Sequence, residues 1–294
     1  MLKLALGTVQ FGVNYGVSNQ TGATPAEEAR AIVELARQNG IDILDTAPAY
    51  GESEAVLGKV LPPDFGRVIT KTPSFQGDAI TNRDACTLKD AFSASLGKLE
   101  RESIYGILVH GAADLLKPGA EYLLGAMEDL RNEGRVKKIG VSVYNGEQID
   151  RILERFAIDL IQLPLNVLDQ RLIAGGQLAN LKQNGVEIHA RSAFLQGLLL
   201  MKPDSWPAYF APYYPHLRRF HGMATDLALT PLQAALGFVQ SVPEVDYVVC
   251  GVNTLAQWRE LVAASDARVD IRQFNIVRCD DPNLVDPSQW RLAA

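Results

Sequence analysis

The chain has 294 residues, 47% of them hydrophobic, enough to bury a large core as one α/β domain or as two small ones. A formal net charge of −6 with 21% charged residues argues against a nucleic-acid groove or a polybasic membrane patch and leaves small molecules as the expected partners. Cys86, Cys250 and Cys279 are odd in number and lack CxxC spacing, which argues against a disulfide framework, a Cys-rich zinc site or any metal role.

The opening segment MLKLALGTVQFG carries one Lys and a short apolar run, which Gly and polar residues interrupt before a signal-peptide core can form. No stretch approaches the ~20 apolar residues of a membrane helix, so the expected setting is cytoplasmic, with no membrane and no nucleic-acid partner. From there on, short β-branched runs alternate with longer amphipathic segments, the pattern of a parallel sheet with helices outside it. LALG (4–7) is the first predicted strand. The helix that follows, over 25–39, is announced by Thr24-Pro25 with Glu27 and Glu28 in its first turn, which places Pro25 at the first helical position. IDILD (41–45) precedes a helix over 52–60, RVITK (67–71) one over 87–99, and IYGILVH (104–110) one over 119–133. VKKIGVS (136–142) and LIQL (160–163) precede helices over 146–156 and 170–184. VEIHAR (186–191) leads into the longest insertion, roughly 192–229, before a helix over 231–241 that Thr230-Pro231 opens. DYVVCG (246–251), a helix over 254–264 and an irregular tail to 294 complete the chain.

Eight such units without a composition break predict a closed (β/α)8 TIM barrel of the α/β class, a single domain over residues 1–294 with an extended loop after strand 7 and a C-terminal tail. The insertion contains Trp206, Tyr209, Phe210, Tyr213 and Tyr214, which suggests a binding loop for a flat or sugar-like ligand. A segment packed over the barrel wall is the plainer alternative. In the tail, Asp280, Asp281 and Asn283 either bind hydroxyls or cap a final turn.

Reactive groups in barrel enzymes sit where strands end and βα loops begin. That rule selects Asp45 at the end of the second strand, Tyr50 in the loop after it, Lys71 at the end of the third and His110 at the end of the fourth. A phenol titrates near ~10, so it is a usable acid at neutral pH and a poor base. An ammonium within about 4–6 Å lowers a phenol by roughly 1–3 units, and Lys71 is placed to do so. Asp45 would hold that ammonium charged in a desolvated mouth. His110, kept neutral by its cationic neighbour, would donate a hydrogen bond to a substrate carbonyl oxygen. Taken singly, each has an ordinary role: a cap, a packed ring, a solvated amine, a satisfied structural imidazole. Their joint placement at neighbouring strand ends is what points to chemistry.

At these residues the chain resembles the aldo-keto reductase family. GIDILDTAPAYGESEAVLG (40–58) is similar to that family's signature G-x-x-x-x-D-[ST]-A-x-x-Y-G and the glutamate-containing helix after it. VITKT (68–72) resembles the strand carrying the family lysine, and ILVHGAADLL (107–116) the strand carrying its histidine. The resemblance implies Asp45, Tyr50, Lys71 and His110 as a catalytic tetrad that reduces an aldehyde or ketone, with hydride from nicotinamide C4 and a proton from Tyr50. The implied cofactor is NADPH, with NADH as the other candidate, lying across the barrel mouth without a Rossmann domain. GTVQFG (7–12) indeed lacks the G-x-G-x-x-G spacing. Carried over by position, Gly7 and Thr8 would meet the nicotinamide end with Asp45 beside them, while Ser142 and Gln162 would bind the carboxamide. Ser192, Phe194, Gln196 and Gly197 would run under the pyrophosphate. Gly251, Asn253, Gln257 and Glu260 would hold the adenosine part.

The sequence departs from the family pattern at several of these places. Val143 follows Ser142 where Asn is common, so one carboxamide contact is missing or replaced. Arg191 stands where an aromatic ring usually stacks on the nicotinamide, and its guanidinium plane could stack there instead. Gln257 and Leu261 stand where a basic residue and Asn often read a 2′-phosphate, with Arg259 a possible substitute. Two other functions fit a barrel of this kind. One is a nucleotide-binding redox sensor without turnover, against which the full tetrad speaks. The other is a Schiff-base aldolase using Lys71, which pairing with Asp45 would leave protonated and poorly nucleophilic.

Overall fold

The computed structural model describes residues 3–292. Eight parallel strands close into a barrel in simple chain order: β1 (Leu4–Gly7), β2 (Ile43–Asp45), β3 (Arg67–Lys71), β4 (Ile104–Val109), β5 (Val136–Ser142), β6 (Leu160–Pro164), β7 (Glu187–Arg191) and β8 (Tyr247–Gly251). β8 returns to β1 with Gly7 opposite Gly251, and Gly7 is also paired with Asp45 on β2. The register therefore gathers the strand ends carrying Gly7, Asp45 and Gly251 at one rim.

Strands buried on both faces are made by β-branched and aliphatic runs. Here Ala5, Ile43, Ile69, Leu108 and Leu160 fill the barrel interior, and a much larger apolar layer lies between the strands and the surrounding helices. The far end of the barrel is closed by polar groups. Glu187 accepts from the Tyr105 hydroxyl (2.8 Å) and Lys138 Nζ (2.6 Å), with His189 Nε2 2.7 Å from its other oxygen. Burial alone would raise the Glu187 carboxyl, but those hydrogen bonds outweigh it and hold it at about 2.

The helix positions follow the sequence periodicity with instructive differences. The helix Asn82–Leu99 starts five residues before the expected 87, because Thr81 and Asp84 form a reciprocal capping box. The expected helix over 170–184 is divided into Arg171–Ala174 and Gln177–Gln183, with Gly176 in the left-handed region (φ 81°) at the break. Pro25 is the N-cap rather than the first helical residue, its ψ of 148° keeping it extended, whereas Pro231 does open its helix behind a Thr230–Gln233 capping box.

The insertion after β7 is more regular than expected, since Tyr214–Asp226 is a helix. Its aromatic residues pack inward: Phe210 is fully buried against Trp290 of the tail, and Trp206 lies against Tyr214 with its indole N–H on the Met201 carbonyl. Asp281 caps the short helix Pro282–Val285 and accepts the Tyr213 hydroxyl at 2.6 Å. The tail thus clamps the insertion to the barrel wall, and Asp281 has the capping role. Among the described residues, no helix is long and apolar enough to cross a membrane, and no group of three or more His, Cys, Asp or Glu is arranged to hold a metal.

Candidate active site

The second βα loop is set by its glycines. Gly51 has φ +56°, and a side chain on Gly12 would collide with the Tyr50 carbonyl oxygen and the backbone of residues 52 and 53. That contact between the loops after β1 and β2 fixes where Tyr50 stands. Thr8 and Ser53 reinforce it: the Thr8 hydroxyl donates to the Asp45 carbonyl (2.9 Å), and Ser53 Oγ donates toward Thr8 (2.8 Å to its carbonyl oxygen). The Thr8 side chain, expected at the nicotinamide end, is therefore spent on holding Asp45. Beneath the loop, the buried Glu54 carboxylate accepts the Thr70 hydroxyl at 2.6 Å and the Ser95 hydroxyl at 3.1 Å.

Lys71 and Asp45 form a buried pair. Lys71 Nζ lies 2.7 Å from Asp45 Oδ1 and donates to the Thr46 carbonyl at 2.9 Å, with its side chain 1% exposed. Burial pulls the Lys71 ammonium down, but the neighbouring Asp45 and Tyr50 outweigh it, so its pKa lies above the ordinary lysine value. The same ammonium is 4.9 Å from the centre of the Tyr50 ring. For Tyr50 the balance has the opposite outcome from the sequence expectation. Burial raises the phenol more than Lys71 lowers it, and the net direction is upward. Tyr50 thus holds its proton at neutral pH.

His110 stands edge-on to Tyr50, ring centres 6.0 Å apart. Burial first and the Lys71 charge second bring its imidazole down to about 4, so it is neutral over the physiological range. The unfolded chain binds a proton here below about 6.5 and the folded chain only below about 4. Stability is therefore expected to fall as the pH drops through that window, and to be unaffected by this group above it. Unfolding titrations should show His110→Asn gaining on the native protein from pH 6.5 down to about 4; a difference independent of pH would show that the imidazole does not titrate as its burial requires.

A cavity of about 430 Å³ opens at this rim. Of the residues the sequence nominated, Gly7, Thr8, Asp45, Tyr50, Gln162, Arg191, Ser192, Phe194, Gln196, Gly197, Gly251, Asn253, Gln257 and Glu260 line it. Lys71 lies beneath with Asp45, and His110 beside Tyr50. Ser142 is the exception: it is 4% exposed and does not line the cavity. At the residues just after it, Arg191 Nη2 donates to the Val143 carbonyl at 2.9 Å and its guanidinium lies 4.3 Å from the centre of the Tyr144 ring. Gln162 has a partner inside the protein, its Nε2 donating to Asp45 Oδ1 at 2.8 Å. Gln257 accepts from the Asn253 backbone N–H (2.8 Å), and Asn253 donates to the Gly22 carbonyl (3.0 Å), so both also brace the rim. The aromatic residues of 206–214 are absent from the lining; the flat or sugar-like ligand they suggested loses its support because they are spent on packing.

Sequence reasoning missed Gln10 and Asn166. Gln10 lines the cavity at 8% exposure, with its Oε1 buried and unpartnered. Asn166, fully buried, donates to the Ser192 carbonyl at 3.1 Å and accepts from the backbone N–H of residues 168 and 169. It thereby holds the loop in which Ser192, Leu195, Gln196 and Gly197 all have positive φ (61°, 46°, 54° and 90°). A polar residue inside each of the apolar runs GTVQF and LPLNVL was the available signal.

Residues 3–279 match the aldo/keto reductase family model. The chain belongs to the aldo/keto reductase family. It is 24% identical over 288 residues to the uncharacterized oxidoreductase YqkF of Bacillus subtilis, covering 91% of this chain and 92% of that protein. It is 28% identical over 183 residues to the NADH-specific methylglyoxal reductase of Escherichia coli, covering 56% of each. Among solved structures, the holo form of an aldo-keto reductase from Bacillus halodurans superposes with a TM-score of 0.78 at 21% identity, covering 98% of this chain and 95% of the other. The glycerol dehydrogenase of Gluconobacter oxydans gives 0.71 at 22%, covering 97% and 92%. These likenesses place the (β/α)8 fold within a family of oxidoreductases acting on carbonyls and alcohols.

Proposed function

We propose that this aldo/keto reductase reduces an aldehyde or ketone to the alcohol with a nicotinamide dinucleotide, and that Tyr50 is the general acid. The observation that carries this is the Lys71 ammonium, fixed between Asp45 Oδ1 and the Thr46 carbonyl and lying 4.9 Å from the Tyr50 ring in the floor of an open cavity. A carbonyl oxygen seated beside Tyr50 receives the phenolic proton as its carbon is reduced. The Lys71 charge, held on by Asp45, stabilises the phenolate left behind. His110, whose pKa of about 4 leaves it neutral at physiological pH, offers one ring N–H to the same oxygen and fixes its direction. The raised Lys71 pKa disfavours the aldolase alternative, since a protonated amine does not attack a carbonyl.

The dinucleotide supplies the hydride. Its fit is supported by the cavity's extended lining, by the buried, unpartnered Gln10 Oε1 within it, and by the lining loop 192–197, in which Ser192, Leu195, Gln196 and Gly197 have positive φ. Gly7, Gln162 and Arg191 would face its nicotinamide end, Ser192 to Gly197 its diphosphate, and Gly251, Asn253, Gln257 and Glu260 its adenosine. Gln257 and Glu260 line that last region and no Lys or Arg does, so a 2′-phosphate would meet a carboxylate and no cation. NADH suits this lining better than NADPH. Purified protein is expected to consume NADH in the presence of a reactive aldehyde, followed by absorbance, and to consume NADPH less efficiently. No consumption of either with any of a panel of short, aryl and sugar aldehydes would defeat the reading, as would a borohydride-trapped carbonyl adduct on Lys71.

A further inference from the structure

Arg191 is the only lysine or arginine among the residues lining the cavity. It is half-buried and rigidly held, with Nη2 on the Val143 carbonyl (2.9 Å), Nη1 on the Ser192 hydroxyl (3.2 Å) and its plane near the Tyr144 ring. Those bonds use two of the five N–H donors of a guanidinium. Three other cations set into the barrel strands and loops have carboxylate partners, Lys71 with Asp45 at 2.7 Å, Lys138 with Glu187 at 2.6 Å and Arg171 with Asp169 at 2.8 Å, whereas Lys3 and Arg101, away from the cavity, are met by backbone carbonyls. Arg191 has no carboxylate within ion-pair distance among the described residues. Withdrawing a cation from water is costly unless an anion meets it; the buried Asp169 carboxylate, which feels the Arg191 charge, is already paired with Arg171 at 2.8 Å, so the remaining Arg191 donors are left for an anion in the cavity.

The position of that charge narrows what the anion belongs to. Arg191 lines the same cavity as Tyr50, Asp45 and Gln162, and its charge also reaches His110, so it shares the cavity with the groups assigned to the carbonyl oxygen. The dinucleotide's diphosphate is assigned above to the loop 192–197, in which Ser192, Leu195, Gln196 and Gly197 have positive φ. We propose that the substrate carries a carboxylate or phosphate ester a few atoms from its carbonyl, and that Arg191 binds this anion while Tyr50 and His110 hold the oxygen. This rests on reduction at Tyr50 as proposed above. A guanidinium fork matches either oxyanion with paired, charge-assisted hydrogen bonds.

Matched substrates test it: 4-oxobutanoate against butanal, and glyceraldehyde 3-phosphate against glyceraldehyde. The native protein is expected to favour the anionic member of at least one pair by roughly 10- to 100-fold in kcat/KM, the worth of hydrogen bonds to a charged group. The pair that shows the preference tells carboxylate from phosphate. Arg191→Met should bring that ratio to about one, and Arg191→Lys should leave an intermediate value because it keeps the charge and loses the fork. Reading a ratio within each variant cancels any general loss of folding or cofactor affinity. Calorimetry supplies a readout without turnover: 4-hydroxybutanoate should bind the native protein more tightly than 1-butanol if the carboxylate pair is preferred, and glycerol 3-phosphate more tightly than glycerol if the phosphate pair is. The difference should vanish in Arg191→Met. A native ratio of one or less in both pairs overturns the proposal, as does a ratio that Arg191→Met leaves unmoved while the Kd for NADH rises, which would assign Arg191 to the diphosphate. If no aldehyde is reduced at all, the reductase reading fails instead, and the calorimetric comparison still decides the role of Arg191.

Discussion

Tyr50→Phe is expected to lower kcat by about 10²- to 10⁴-fold, the usual contribution of a positioned proton donor, while leaving the Kd for the dinucleotide within a few-fold of native. The two effects separate because of what the ring does in the fold. The ring lines the cavity with the Lys71 ammonium 4.9 Å from its centre, whereas its placement comes from the backbone contact between Gly12 and the residue 50 carbonyl. Phenylalanine preserves that contact and removes the proton alone. Steady-state rates with a reactive aldehyde and a fluorescence titration with NADH on the same preparation measure both quantities. A variant that lost cofactor affinity in proportion to turnover would show that Tyr50 binds the dinucleotide, and the acid would have to be sought elsewhere.

Lys71→Met should be nearly inactive and, in addition, markedly less stable. Lys71 and Asp45 are almost wholly buried, and removing one partner leaves the other as an uncompensated charge, which typically costs about 3–5 kcal/mol. After the substitution the Asp45 carboxylate keeps the Gln162 amide as its hydrogen-bond donor. The double variant Asp45→Asn, Lys71→Met removes both charges at once and should recover most of the lost stability without recovering activity. Urea unfolding of the native protein, both single variants and the double variant closes this cycle. If the double variant were as unstable as the sum of the singles, the pair would not be coupled, and the Lys71 charge could not be assigned to Asp45.

Much of this arrangement was legible in the chain itself, for a physical reason. A buried parallel strand needs a continuous apolar run, a surface helix needs a 3.6-residue repeat, and the C-terminal ends of barrel strands carry the residues nearest the mouth. Those rules mark the eight strands, nearly to the residue at β1, β3 and β5. They also pick out Asp45, Tyr50, Lys71 and His110, which the fold brings to one rim. Local chemistry sufficed as well where a cap was decisive, as at Thr230-Pro231. It failed where two signals competed: the box at Thr81 and Asp84 extended a helix that apolar periodicity began too late.

The electrostatic balance was decided only by tertiary structure. Sequence spacing sets a lysine near a phenol, but how deeply each is buried depends on every element packed above it, and here burial outweighs the cation and raises Tyr50. Ser142 stands at a strand end like its neighbours, yet it does not line the cavity, whereas Arg191 reaches from another strand to the Val143 carbonyl next to it and does. The aromatic residues of 206–214 read as a binding surface until the tail closes on them through Trp290 and Asp281. In each case the deciding partner lies far away in sequence. A pattern of residue types fixes which groups reach the barrel mouth, whereas the three-dimensional packing of distant segments fixes which of them keep their charge, their proton and their access to a ligand.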